Sequence, residues 1–292
     1  MVKKNQGIVY GLLSALFVTG YFIVNRYVYT HYGISSVEYS LLFAISGAVF
    51  ALFSLLTKVS KENIKIIKNN IVSLIILGFA GNLAVGILVA GQQHTSAINA
   101  SILMTTTIIS TMFFSYLMLS ERFEKAKYLW IGCLFLGLYL SIVGLKSFEI
   151  KSGDIMIISS IVFFGFGNAY SRKLMVRMGS ASLVPDARLL VGGVIALPLY
   201  LAVINSTKVI IEILPLVLLA GFFYWLTIKT FAKSVYLTNA NNTIILNNTH
   251  IFTTSIAGVL LLSETYTVEK LIGSIIAILA IYKITSNNTS HP

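Results

Sequence analysis

Charge is scarce in this chain. Only 11% of its 292 residues are charged, whereas soluble domains carry about 25%, and 57% are hydrophobic, with a mean hydropathy of +0.86. That balance excludes a water-soluble enzyme of this length. Acid is scarcer than base, ten residues against 21, for a net charge of +11. A basic surplus can signal nucleic acid. Here, however, the lysines and arginines fall in short loops between apolar runs, so they report membrane topology and no nucleic-acid partner is expected. The single cysteine, Cys133, lies in an apolar segment. One thiol excludes a disulfide framework and a cysteine-built metal site, and it packs as a small hydrophobe. Catalytic patterns are missing too. There is no H-E-x-x-H pair, no span has a central aspartate, and the mid-span His250 has hydroxyls around it but no carboxylate to orient it. A membrane-embedded protease or lipid-modifying enzyme is therefore disfavoured, and no cofactor is called for. The loops are too short to form a receptor or scaffold domain.

What the chain has is apolar runs near 20 residues, the length that crosses a bilayer as helix. They read at Gly7–Val28, Val37–Leu56, Ile71–Gly91, Ala97–Leu119, Tyr128–Leu145, Asp154–Lys173, Leu183–Ile204, Ile213–Ala232, Ala240–Leu262 and Val268–Thr285. The first is too long for a signal peptide and lacks a small-residue cleavage site. Ten spans are predicted, with Pro198 kinking the seventh and Pro215 opening the eighth. If the N-terminus is inside, 16 of the 21 basic residues lie on the inner side and five on the outer. The bias places both termini in the cytoplasm of a cell-membrane protein.

The most informative span is the ninth. From Thr238 to Glu264 it reads TNANNTIILNNTHIFTTSIAGVLLLSE. At roughly 100° per residue, Asn242, Thr249 and Thr253 project together, beside Thr243, Asn247, His250 and Thr254. Such a face cannot meet lipid, because unpaired polar groups in hydrocarbon cost several kcal/mol each. It reads as the wall of a substrate path. The same stretch has a copy 143 positions earlier, Thr95–Glu121, in which Thr95, Asn99, Ile102, Leu103, Thr106, Thr111, Leu119, Ser120 and Glu121 recur without a gap. The chain is thus two halves, 1–147 and 148–292. Five crossings per half make the second half run opposite to the first, the inverted repeat many transporters use around a midplane site.

These residues resemble a known family. Leu119-Ser120-Glu121-Arg122 and Leu262-Ser263-Glu264-Thr265, each followed by a glycine in the next helix (Gly132 and Gly273), look like the duplicated EamA-type domain of the drug/metabolite transporter superfamily. The resemblance covers essentially the whole chain. It implies transport of small metabolites, commonly amino acids and related compounds and often outward, without fixing the substrate. The family usually carries a proline one helix upstream of that glutamate. Here Thr107-Ile108 and His250-Ile251 stand in those places, so no proline writes the helix break that the family implies.

His250 is the sharpest candidate, an ionisable group near mid-span, which marks function by default. It would sense or carry a proton, or hydrogen-bond a substrate; the alternative is a neutral histidine bonded to another helix. Its counterpart in the first half is Thr107. Asn242, Asn247 and Thr249, with Asn99, Thr106 and Thr107 across the pseudo-axis, either line the path or glue helices together at roughly 0.6–2 kcal/mol per contact. Tyr21, Phe164, Phe166, Tyr170, Tyr224 and Trp225 either flank a substrate or pack. Asn82 and Asn168 are isolated amides in the third and sixth spans, ligand or glue. Glu121 and Glu264 fall where helices end, which favours capping over substrate contact. Arg26 and Arg172, near span ends, snorkel to headgroups or select anions at a path mouth. Glu38, Asp154, Asp186 and Glu212 all lie near span ends, so no acid-lined proton relay exists. Transport is passive, or it is coupled through His250.

The leading expectation is an all-α integral membrane protein, monomer or homodimer, that carries small molecules by alternating access. Its preferred substrates are amino acids or similar zwitterions, since the predicted path is rich in amides and hydroxyls and free of fixed charge. A sugar-phosphate or nucleotide-sugar exchanger is the alternative, but it would want several mid-membrane cations.

Overall fold

The computed structural model describes residues 2–119, 127–142, 151–180, 182–204, 207–237 and 240–286. It is all helix, with no strand among those residues. In chain order the helices are α1 (Val2–His31), α2 (Ser36–Leu56), α3 (Lys61–Asn69), α4 (Ile71–His94), α5 (Ala97–Met104), α6 (Thr107–Leu119) and α7 (Lys127–Ile142), followed by α8 (Ser152–Met178), α9 (Leu183–Val203), α10 (Thr207–Leu237), α11 (Ala240–Asn248), α12 (His250–Leu262) and α13 (Val268–Ser286). Eight segments are long and apolar enough to cross a membrane, counting α5–α6 as one and α11–α12 as another. Of the ten spans expected, the other two correspond to α7, whose apolar part Tyr128–Ser141 is shorter, and α13.

Four features depart from the expected pattern. Pro215 lies inside α10, two turns past its start, instead of opening the span. Helix α3 is an added amphipathic helix of nine residues between the second and third spans, with Ser60 Oγ accepting from the Asn63 amide at 3.1 Å. The fourth and ninth spans are also broken at matching positions, although neither carries a proline there. At the first break Thr105 N and Thr106 N bond three residues back, to Ile102 O and Leu103 O, and the two hydroxyls donate to the same carbonyls at 2.7 and 2.8 Å. At the second, Thr249 N and Thr249 Oγ1 both reach Leu246 O, the hydroxyl at 2.7 Å. Threonine back-bonding and short-range amide bonds replace the i→i−4 ladder, so the helix tightens and changes direction.

The heaviest helix pairings are α1 with α10, α2 with α9, α7 with α13 and α4 with α8, then α6 with α8, α2 with α10, α4 with α9 and α1 with α12. Exchanging the halves maps this set onto itself, as a two-fold repeat requires. Every one of these contacts joins the two halves. Small residues let the backbones approach, which drives association where lipid offers no hydrophobic gain. One close case is α7 on α13, where a Cβ on Gly137 would stand 2.7 Å from Gly273 O and 2.8 Å from Ala277 N. Since both are backbone atoms, neither can rotate away. Gly137→Val is expected to cost about 1–3 kcal/mol, seen as a lowered unfolding temperature of the purified protein. An unchanged temperature would mean that α7 and α13 can part freely.

Candidate functional site

A cavity of about 110 Å³ lies between the halves, walled by α1, α6, α8, α10, α11 and α12. Its aromatic wall includes Tyr21, Phe22, Phe164 and Tyr224. Tyr21 and Tyr224 meet edge to face, with centroids 5.7 Å apart, a favoured aromatic geometry. The polar wall holds Thr107 and Thr111 of α6, Asn168 of α8, Asn247 and Asn248 of α11, and His250 of α12. Thr107 and His250 open α6 and α12 just past the two breaks, and Asn247 and Asn248 end α11.

His250 is 3% exposed. Its Nδ1 is 2.8 Å from Asn247 O. A carbonyl can only accept, so Nδ1 donates. Its Nε2 is buried and makes no hydrogen bond, although the Ser101 backbone also lies near the ring. Thr107 Oγ1 is likewise buried without a partner. These two residues hold equivalent positions in the two halves, so the repeat places one unfilled polar atom from each half in the same cavity wall. Asn168 Nδ2 reaches Thr111 Oγ1 only at 3.4 Å, and Asn247 Nδ2 donates to Ser14 Oγ at 2.8 Å.

Tyr21, Thr107, Asn168, Asn247 and His250 therefore come together as the sequence suggested. Others do not. Asn99 lies toward the far end and accepts from Lys270 Nζ at 2.9 Å. Thr106 faces an outward apolar cleft between α6, α7 and α8. Thr249 spends its hydroxyl on Leu246 O. Trp225 donates from Nε1 to Asp186 at 3.0 Å. Asn82 lines a separate recess and donates from Nδ2 to Gly192 O. The side chain of Asn242, and Glu121 altogether, lie outside what the structure describes. Part of the polar face of the ninth span is glue. Thr253 and Thr254 both bond Thr19 of α1, at 2.6 and 3.0 Å, and Thr243 bonds Ser234 of α10 at 2.9 Å.

The ends of the bundle are closed by charge. Away from the termini, Glu264 accepts from the Ala97 and Ile98 amides at 2.8 and 3.0 Å. One half thus caps a helix of the other, where the helix dipole favours an anion. Arg26 does not snorkel: it donates to Gln92 O and Gln93 O at 2.9 and 3.0 Å, with Nε 3.8 Å from Glu264. Toward the termini, Asp186 is fully buried and accepts from Lys58 (2.6 Å), Ser54 (2.7 Å) and Trp225 (3.0 Å), with Lys229 at 3.6 Å.

Sequence reading missed Arg188. It counted there as one of sixteen inner-side charges, yet the side chain is buried, at 5% exposed, in a recess lined by Gly78, Gly81, Asn82 and Tyr224. Tyr224 borders both this recess and the main cavity. The expectation of a site free of fixed charge is therefore corrected: a guanidinium stands next to it. The available signal was Arg188 falling inside a predicted span, five residues past its start.

No curated protein matches the chain in sequence. A solved crystal structure of another protein is similar in fold, with a TM-score of 0.65 over 96% of this chain and 97% of that one at 14% identity. A model of the EamA-like transporter family matches residues 5–143 and again 151–286. With a match that spans nearly all of both halves, the chain belongs to the EamA-like transporter family and is a multi-pass membrane transporter of small molecules.

Proposed function

We propose that this chain is a carrier, working as an exporter, of amino acids or related zwitterions, with its halves (1–147 and 148–292) rocking about the central cavity. The observation that carries the reading is the pair of unfilled buried atoms, His250 Nε2 and Thr107 Oγ1, set among aromatic side chains and amides. With Nδ1 donating, the neutral ring offers Nε2 as an acceptor, and a hydroxyl oxygen accepts as well. Both suit an ammonium donor, while the aromatic wall suits an apolar side chain. Alternating access is supported by a cavity near mid-bundle with a closed charge cluster beyond it. The basic-residue bias supports cytoplasmic termini in the cell membrane. A phosphorylated sugar fits less well, since Lys58 and Lys229 are already turned to Asp186.

Counterflow into proteoliposomes tests the reading, with labelled neutral amino acids, amines and sugar phosphates. Exchange of a neutral amino acid is expected, and exchange of sugar phosphates alone would overturn the substrate class. His250→Ala should cut exchange about tenfold, the factor for losing a buried hydrogen bond of about 1–2 kcal/mol, with normal membrane insertion. Full exchange by the variant would remove His250 from the site.

A further inference from the structure

We propose that Arg188 receives the carboxylate of the transported solute, in the recess between α4, α9 and Tyr224. The proposal rests on the carrier reading above and makes its substrate class specific. A guanidinium cannot shed its proton in a protein, so burial leaves it charged. Yet Nε and Nη2 of Arg188 have no hydrogen-bond partner, and no described carboxylate pairs with it. Asp186, two residues away on α9, is occupied by Lys58, Lys229, Ser54 and Trp225. Two lysines already share that acid, so it does not serve Arg188. An uncompensated charge is costly where water is excluded, and intramembrane arginines of this kind mark substrate or ion pathways.

The geometry of the free edge names the ligand. Nε–H and Nη2–H point the same way and form a fork that matches both oxygens of one carboxylate. Glycine keeps that edge clear. A Cβ on Gly81 of α4 would stand 2.9 Å from Nε and 3.3 Å from Nη2, and one on Gly167 of α8 would stand 3.3 Å from Nη2. The recess beside the fork is about 10 Å³, space for about one water-sized group. One carboxylate oxygen would fill that space, and seating the second requires the wall at Tyr224 to move aside. Tyr224 is its shared border with the main cavity, so the rest of the solute would lie against Tyr21, Asn168 and His250.

Thermal unfolding of the purified full chain tests this without requiring transport. The probes are a neutral amino acid, its amide, its decarboxylated amine and acetate. The amino acid should stabilise the wild type, while the amide and the amine should need at least tenfold more ligand for the same shift. Arg188→Gln should abolish that preference and Arg188→Lys should keep part of it. Gly81→Ala retains the charge but crowds the fork, so it should weaken the amino acid several-fold and leave the amine unchanged. If Arg188→Gln does not fold, the lysine and Gly81 variants carry the test. Equal stabilisation of wild type and Arg188→Gln by the amino acid would overturn the role of Arg188 and leave the carrier reading standing. Stabilisation by amine or amide as strong as by acid would overturn the carboxylate assignment. So would silence of the whole panel on the wild type, with counterflow still deciding the carrier reading. Acetate acting as well as the amino acid, and only with Arg188 present, would make this a site for free small anions and overturn its assignment to the solute.

Discussion

Replacing Asp186 with asparagine is expected to destabilise the protein by about 3 kcal/mol, at the low end for a broken buried ion pair. The carboxylate is fully buried and holds α2, α9 and α10 together through Ser54, Lys58, Trp225 and Lys229. Asparagine can still accept a hydrogen bond, but it leaves two lysines facing each other without a counter-charge. Their side chains are 25% and 18% exposed, so water relieves part of the penalty, hence the low end of the range. The measurement is thermal unfolding in detergent, where the drop should be several degrees. Replacing Asp186, Lys58 and Lys229 together with apolar residues of similar size should return stability to within about 1 kcal/mol of the wild type, because no charge then stays buried alone. If asparagine alone leaves the unfolding temperature unchanged, the network does not hold these helices.

The second large effect is at Glu264. Its two oxygens take the first amides of α5, joining the exit of the ninth span to the entry of the fourth. Glu264→Ala leaves two helix-start donors unfilled and removes the anion beside Arg26. Charge-assisted hydrogen bonds contribute about 1.5–3 kcal/mol each, and loss of about 3 kcal/mol in total shifts a closed-to-open equilibrium by roughly 100-fold. The far end of the bundle should therefore open more often. Ser101 is fully buried one turn inside this closure, so Ser101→Cys in a Cys133→Ala background reports it. Thiol labelling should be at least tenfold faster with Glu264→Ala than without, and Glu264→Gln should fall between. Equal labelling rates would mean that Glu264 caps α5 without holding this end shut.

The candidate site was partly legible because polar residues in apolar helices are conspicuous. His250, Asn247, Thr107 and Asn168 stood out for that reason, and all four line the cavity. Thr249 and Thr106 stood out equally but face elsewhere. Their hydroxyls bond their own helices at the breaks, and a face projected at constant pitch fails once the helix changes direction. Asn99 belongs to the same polar pattern, yet a lysine from α13 claims it. Chain periodicity sees one helix at a time and cannot rank the partners that a neighbouring helix will offer.

Arg188 marks the limit from the other side. A basic residue near a span end has the same meaning in sequence whether its long side chain reaches water or folds inward. Only packing decides, here through glycines on α4 and α8 that leave room for the guanidinium. By itself the sequence determined the membrane class, the duplicated halves and the polar character of the ninth span, because composition and internal identity need no partner to be read. The tertiary structure decided which polar groups are satisfied and which are left open. Each hydrogen bond depends on what the opposite half brings within 3 Å, and every major helix contact in this fold crosses between the halves.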